Sequence, residues 1–305
     1  MTAAPLLRDF SSTSRLGLSL AVTSAVGYGL MITATRLTYD AGSNPVTLIC
    51  IRALVPALML AAVMLVRRSS FALAPGAFWP VAGVALGQLG ITIGYLSAVA
   101  FIPVSLAALV FYAYPILVAA LLAATGHSRV GWAAGLAFAA AFAGLALALA
   151  PSFAVLDLRG LGFALCATLA GTLLLLAADR LPPTQEMLPL GFYMNVVALA
   201  VVGPFALASG SLTAPATATG WGALTFVCLG YLIAFFAMIG AVRYAGPLRA
   251  ALVLNLEPVV AIGGAILVLG EALSAIQVVG VGLVFVALTL STLAERPNPT
   301  LPPVA

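Results

Sequence analysis

Between Ser69 and Ser128 the sequence contains no Asp, Glu, Arg or Lys, and most of its residues are apolar. Such a stretch is about three times the ~20 residues that cross the hydrocarbon core of a bilayer as a helix. It has to cross more than once. Elsewhere the pattern is the same: of 305 residues, 12 are Arg, 8 are Asp or Glu, and none is Lys. A soluble chain of this length carries roughly 75 charged side chains. With a mean hydropathy of +1.22 there is too little polar surface to cover a globule in water, so lipid is the solvent for most of the chain.

The few charges mark the ends of the spans. Arg15 and Arg36 bracket the first, and the second runs from Pro45 to the pair Arg67 and Arg68. The charge-free stretch divides at Pro103 into a third span, Phe78 to Val99, and a fourth, Val104 to Ala124. The fifth runs from Val130 to Ala150, the sixth lies between Arg159 and Asp179, and the seventh opens at Pro189. After the loop "SGSLTAPATATG" come an eighth span (Trp221 to Tyr244), a ninth (Pro247 to Leu269) and a tenth (Ala275 to Leu293). The tail "ERPNPTLPPVA" is polar and proline-rich, as disordered segments are. Trp79, Trp132 and Trp221 each stand near the start of a span, where indole rings anchor at the interface.

With a cytoplasmic N-terminus, Arg8, Arg15, Arg67, Arg68, Arg129, Arg180, Arg243, Arg249 and Arg296 fall inside, and only Arg36 and Arg159 outside. This bias predicts that both termini are cytoplasmic, in the inner (plasma) membrane. Polar residues lead straight into a full-length span, so no removed signal peptide is expected. Cys50, Cys166 and Cys228 sit in apolar runs without a CxxC spacing and read as small buried hydrophobes. No metal site or cofactor is indicated. Dispersed arginines without a basic run argue against a nucleic-acid partner, and without Lys there is no Walker-type phosphate loop.

The second half repeats the first at an offset near 144. Arg36 aligns with Arg180, Pro45 with Pro189, Trp79 with Trp221, Leu86 and Gly87 with Leu229 and Gly230, Pro103 with Pro247, Pro115 with Pro258, Gly126 with Gly270, and Gly135 with Gly280. Five spans per copy oblige the second copy to enter from the opposite side. The expected fold is therefore all-α membrane: ten transmembrane helices as two five-helix inverted repeats, at 16–150 and 160–293, followed by a cytoplasmic tail, 294–305. Inverted repeats let one central site open to either face.

The segment "RAALVLNLEPVVAIGGAILVLGEALSAIQVVGVGLVFVALTLS" resembles the end of an EamA-type repeat of the drug/metabolite transporter superfamily, through its Leu-Glu-Pro, Leu-Gly-Glu and glycine-rich final span. The likeness extends over Gly17 to Leu293. The first copy fits less well, with Tyr114 and Pro115 where Glu257 and Pro258 stand, and His127 in place of Glu271. Arg52, in "ICIRALVPALML", fits an arginine common in the second span of such repeats. Among bacterial members the chain is most similar to the amino-acid exporters of YddG type. The resemblance implies ten helices, cytoplasmic termini and secondary transport of a small metabolite, commonly export.

The site residues follow from depth and helical spacing. Glu257 lies about ten residues into its span, where a carboxyl costs roughly 2.5 to 3.5 kcal/mol to insert. Either it binds substrate or gates, or it is a kink tied to a neighbouring helix. Pro258 and Pro115 cannot donate a backbone hydrogen bond, which frees the carbonyls of Leu254 and Phe111 for a substrate ammonium. Arg52 is read as structural or binding. Ser24, Tyr28, Met31 and Thr35 form one stripe, answered by Thr168, Thr172, Leu175 and Asp179; Gln88, Thr92 and Tyr95 form another, answered by Tyr231, Phe235 and Met238. Tyr112, Tyr114 and Asn255 add polar groups near the prolines; Tyr112 and Tyr114 cannot share a face, nor can Asn255 and Glu257, so at least one of each pair is expected to support packing. The substrate-binding or gating set is thus Tyr28, Gln88, Tyr95, Tyr112, Tyr114, Tyr231, Phe235, Asn255 and Glu257, with Arg52, Pro115 and Pro258 beside it. Spans one, three, four, six, eight and nine are expected to enclose the cavity, and five and ten to lie outside. The glycine spacings Gly90 to Gly94 and Gly131 to Gly135 predict close helix contacts.

These readings describe a transporter of amino acids or similar neutral or zwitterionic metabolites working by alternating access. A carrier of another metabolite or drug is the alternative, then a channel or an intramembrane enzyme. An enzyme would need a facing Ser and His, a metal motif or paired aspartates. The one histidine, His127, lies in a connection, and no Asp falls in the central third of a span. The partners implied are a small-molecule substrate and the lipid bilayer. The oligomeric state stays open, a monomer among the options.

Overall fold

A computed structural model describes residues 6–98, 101–102, 104–125, 132–149, 157–269 and 274–294, all of whose regular structure is helical. In chain order the helices are α1 (Leu6–Asp40), α2 (Pro45–Arg67), α3 (Phe78–Ala98), α4 (Val104–Phe111), α5 (Tyr114–Ala124), α6 (Trp132–Leu149), α7 (Leu158–Asp179), α8 (Met187–Ser209), α9 (Ala218–Ala245), α10 (Pro247–Leu254), α11 (Glu257–Leu269) and α12 (Ala275–Ala294). They make ten membrane crossings, because α4 with α5 and α10 with α11 are the halves of the fourth and ninth spans. Pro103, Gly126, His127, Arg129, Gly270, Glu271 and Arg296, on which several expectations rest, lie outside the described residues.

Local chemistry sets the helix ends. Asn44 caps α2 by accepting a hydrogen bond from the Thr47 amide at 2.9 Å, with Pro45 in the first turn. Arg68 closes α2 in the left-handed region at φ 53°. Thr217 caps α9 by accepting from the Gly220 amide at 3.1 Å. Asp157 caps α7 and is also gripped by Arg159 at 2.8 Å, which holds its carboxyl below the usual carboxylate range.

The two discontinuities are equivalent. Pro115 and Pro258 remove one backbone donor each, and the preceding amides shift to tighter bonds: Ala113 N–H donates to Val110 O at 3.2 Å, and Leu256 N–H to Val253 O at 2.9 Å. The repeat offset superposes these two bonds. A sequence kink has become a break in both copies.

Helix pairing reveals the symmetry. The closest partners are α1 with α9 and α3 with α7, two pairs that exchange when each span is replaced by its copy in the other half. The α4–α5 span packs on α7 as α10–α11 packs on α1, while the pairs α2 with α8 and α6 with α12 map onto themselves. The twofold axis of the inverted repeats therefore passes between α2 and α8. As expected, α6 and α12 stand aside from the central helices and lean on one another.

Glycine makes the α3–α7 approach possible: a Cβ on Gly94 would sit 2.9 Å from both the Ala167 amide and the Phe163 carbonyl. A Cβ on Gly90 would lie 2.8 Å from the Ala170 Cβ. Gly131 lies outside the described residues, and Gly135 faces open space, so that part of the second glycine spacing marks no contact. The cysteine expectation also needs correcting. Cys50 and Cys228 are buried, but Cys166 lies on the outward face of α7, because a uniformly apolar helix does not reveal which of its faces meets lipid.

Candidate functional site

A narrow cavity lies on the twofold axis, between α2, α3, α8 and α9, with room for about one water molecule. Its walls carry Arg52, Gln88, Thr92, Asn195 and Tyr231 among small and apolar residues. Two of these are repeat equivalents: Gln88 and Tyr231 are 143 residues apart, the offset of the neighbouring Leu86 and Leu229. The Arg52 guanidinium lies 4.5 Å from the centre of the Tyr231 ring and donates to Thr92 Oγ1 at 3.4 Å. Thr92 in turn donates to the Gln88 carbonyl at 3.0 Å. The Tyr231 hydroxyl meets the Met194 sulfur at 3.7 Å, its ring stacks on fully buried Phe235, and Asn195 donates to Gly191 O at 2.8 Å.

A second group gathers where the two helix breaks meet. Tyr112 lies within electrostatic reach of half-buried Glu257. Tyr95, Tyr112 and Tyr114 surround Phe111, at centroid distances of 5.9, 5.0 and 5.4 Å. Tyr112 and Tyr114 are each 5% exposed. Both therefore turn inward, contrary to the expectation that they could not share a side, because the break between α4 and α5 abolishes the ~100° per residue rotation of a continuous helix. Asn255 is buried in the equivalent break, one turn tip away from Glu257.

Tyr28 joins the two groups. Its ring is 6.3 Å from that of Tyr231, and it lies within electrostatic reach of both Arg52 and Glu257. Among the described residues no ion pair joins Arg52 to Glu257. Cation and carboxylate face the interior separately, with phenol rings between them.

The first break is braced from α7. Thr168 Oγ1 meets Val110 O and Thr172 Oγ1 meets Tyr114 O, at 2.9 and 3.5 Å. The corresponding α1 residues, Ser24 and Tyr28, have buried hydroxyls without a hydrogen-bond partner among the described residues, as has Asn255 at its Oδ1. Gly29 explains how closely α1 approaches the second break: a Cβ there would lie 2.7 Å from Glu257 O.

Arg52, Gln88 and Tyr231 meet in the cavity, and Phe235 supports it. Tyr28, Tyr95, Tyr112, Tyr114, Asn255 and Glu257, with Pro115 and Pro258, belong to the adjoining breaks. The expected lining set omitted α2 and α8, which supply Arg52, Met194 and Asn195, and of its six spans only the third and eighth, α3 and α9, line the narrow cavity. Asn195, a lone amide in the apolar run "YMNVVALA", was the available signal for span seven.

The sequence pattern of the EamA-like transporter family matches residues 15–150 and again 158–293. No curated protein matches the chain in sequence. A solved structure titled "Crystal structure of protein" has a similar fold, with a TM-score of 0.73 at 19% identity, covering 95% of this chain and 99% of its own.

Proposed function

The chain belongs to the EamA-like transporter family, and on that premise we propose that it exports amino acids or closely similar zwitterions across the inner membrane by alternating access, in the manner of the YddG-type exporters it resembles. The observation that carries this reading is the separation of Arg52 from Glu257 across Tyr28 and Tyr231. A cation and a carboxylate that do not neutralise each other, at a depth where lone charges are costly, suit a substrate with one charge of each sign.

Within this reading the substrate ammonium is held by Glu257, with the carbonyl of Leu254 that Pro258 leaves free. Tyr28, Tyr95, Tyr112 and Tyr114 receive the side chain. The narrow cavity has to widen for substrate to enter, and its place on the twofold axis supports rocking of one half against the other. Both termini are cytoplasmic, as the arginine bias favours. The test is transport by purified protein in liposomes, with a panel of neutral amino acids, with and without a pH gradient. Movement of at least one of them above empty liposomes is expected; movement of none, in folded protein, overturns the reading.

A further inference from the structure

Arg52 carries a charge that nothing around it cancels. A guanidinium has five N–H donors, and the partners seen are one hydroxyl, that of Thr92, at a long 3.4 Å, and the face of Tyr231. Among the described residues no carboxylate lies within ion-pairing distance. The side chain lines the axial cavity together with two amides, Gln88 and Asn195. Asn195 is 2% exposed, and its amide nitrogen spends one hydrogen on Gly191 O, leaving another to donate. The twofold is broken here, since α8, the copy of α2, carries no charged residue.

We propose that this cavity is an anion subsite that takes the carboxylate of the substrate, with Arg52 as the ion-pairing group and Gln88 and Asn195 as flanking donors. This rests on the amino-acid reading above and deepens it by fixing which end of the substrate faces which helices. A planar carboxylate can accept two parallel bonds from a guanidinium, and Tyr231 behind the cation holds its plane without competing for those donors. The Tyr231 hydroxyl is turned to the Met194 sulfur, and Arg52 meets the face of the ring. The amides contribute hydrogen bonds without a second charge, so the subsite discriminates for one carboxylate and against a dianion, which would leave negative charge unpaired in a dry site.

The test compares thermal stabilisation of the purified, detergent-solubilised protein by L-leucine, L-methionine and L-phenylalanine with that by their carboxamides, which keep the ammonium and lose the carboxylate. Wild-type protein is expected to prefer the acids at least tenfold in half-saturating concentration. Arg52→Gln is expected to bring acid and amide within twofold of each other, by weakening the acids alone. Should Arg52→Gln fail to fold, Asn195→Ala serves: acids weaken about threefold or more and amides do not change. An acid preference that survives Arg52→Gln, or equal weakening of acid and amide by Asn195→Ala, overturns the subsite while leaving the amino-acid reading intact. Stabilisation by neither acid nor amide overturns both.

Discussion

Tyr112, at the break in the fourth span, lies within electrostatic reach of Glu257, at the break in the ninth. The two discontinuities of the inverted repeat thus lie side by side, and the arrangement is asymmetric: Tyr114, not an acid, occupies the position equivalent to Glu257.

Glu257→Gln is expected to weaken amino-acid binding at least tenfold while leaving any dependence on a pH gradient unchanged, because the residue acts as the ammonium's partner. Tyr112→Phe, which removes the hydroxyl that stands near this carboxyl, is expected to have a smaller effect, about fivefold, the size of one hydrogen bond of about 1 kcal/mol. Binding and liposome transport measured on the same preparations check both; loss of pH coupling with intact exchange in Glu257→Gln assigns it to proton transfer instead.

Gly29→Ala and Gly135→Ala form a matched pair. The first sets a methyl group 2.7 Å from Glu257 O and from the Val260 Cβ, whereas the second meets nothing within 4 Å. Overpacking costs about 1–3 kcal/mol, so Gly29→Ala lowers the thermal midpoint and Gly135→Ala leaves it unchanged or raises it. Equal midpoints refute the close approach of α1 to the second break.

Thr168→Val removes the brace from Val110 O, which keeps its backbone bond from Ala113. An interhelical bond of this kind contributes about 0.6 kcal/mol, and at most about 1.7. The expected result is a small loss of stability with faster hydrogen exchange at residues 110–116, and no change in exchange across the second break.

Topology is checked by impermeant thiol labelling of single cysteines placed in 209–220, in a background lacking Cys50, Cys166 and Cys228. Labelling from outside intact cells is expected. Labelling in inverted vesicles alone reverses the orientation.

At the other end of the chemistry, Asp157 both caps α7 and pairs with Arg159, which lowers its carboxyl below the ordinary range. A lowered folded value means that its contribution is complete above the ordinary aspartate range and is lost as pH falls through the folded value. Asp157→Asn keeps the cap and is expected to remove this acid dependence; Asp157→Ala loses the cap as well and unfolds at a lower temperature at every pH.

The spans were legible because charge is so scarce that each Arg or Asp marks an end, and the repeat was legible because prolines and tryptophans recur in order. Glu257, Arg52 and the tyrosines stood out as polar groups in apolar runs. What remained hidden depended on a second helix. Pro115 announces a lost bond, but a break rather than a kink is held open by Thr168 and Thr172, which belong to the other half. Asn195 escaped notice because burial against Arg52's cavity is a property of the pairing of α2 with α8, not of either helix.

The exchange of partners between halves also sets an order of events during synthesis. Helix α1 ends at Asp40, while its chief neighbour α9 is complete only at Ala245. At roughly 5–20 residues per second, the ribosome needs about 10–40 s to supply that neighbour. Throughout that interval Ser24, Thr33 and Tyr28 sit in lipid or against a temporary companion. The nascent first half is therefore a membrane protein without its own interior, and two fragments divided between Ala150 and Asp157 should accumulate only when a cell makes both.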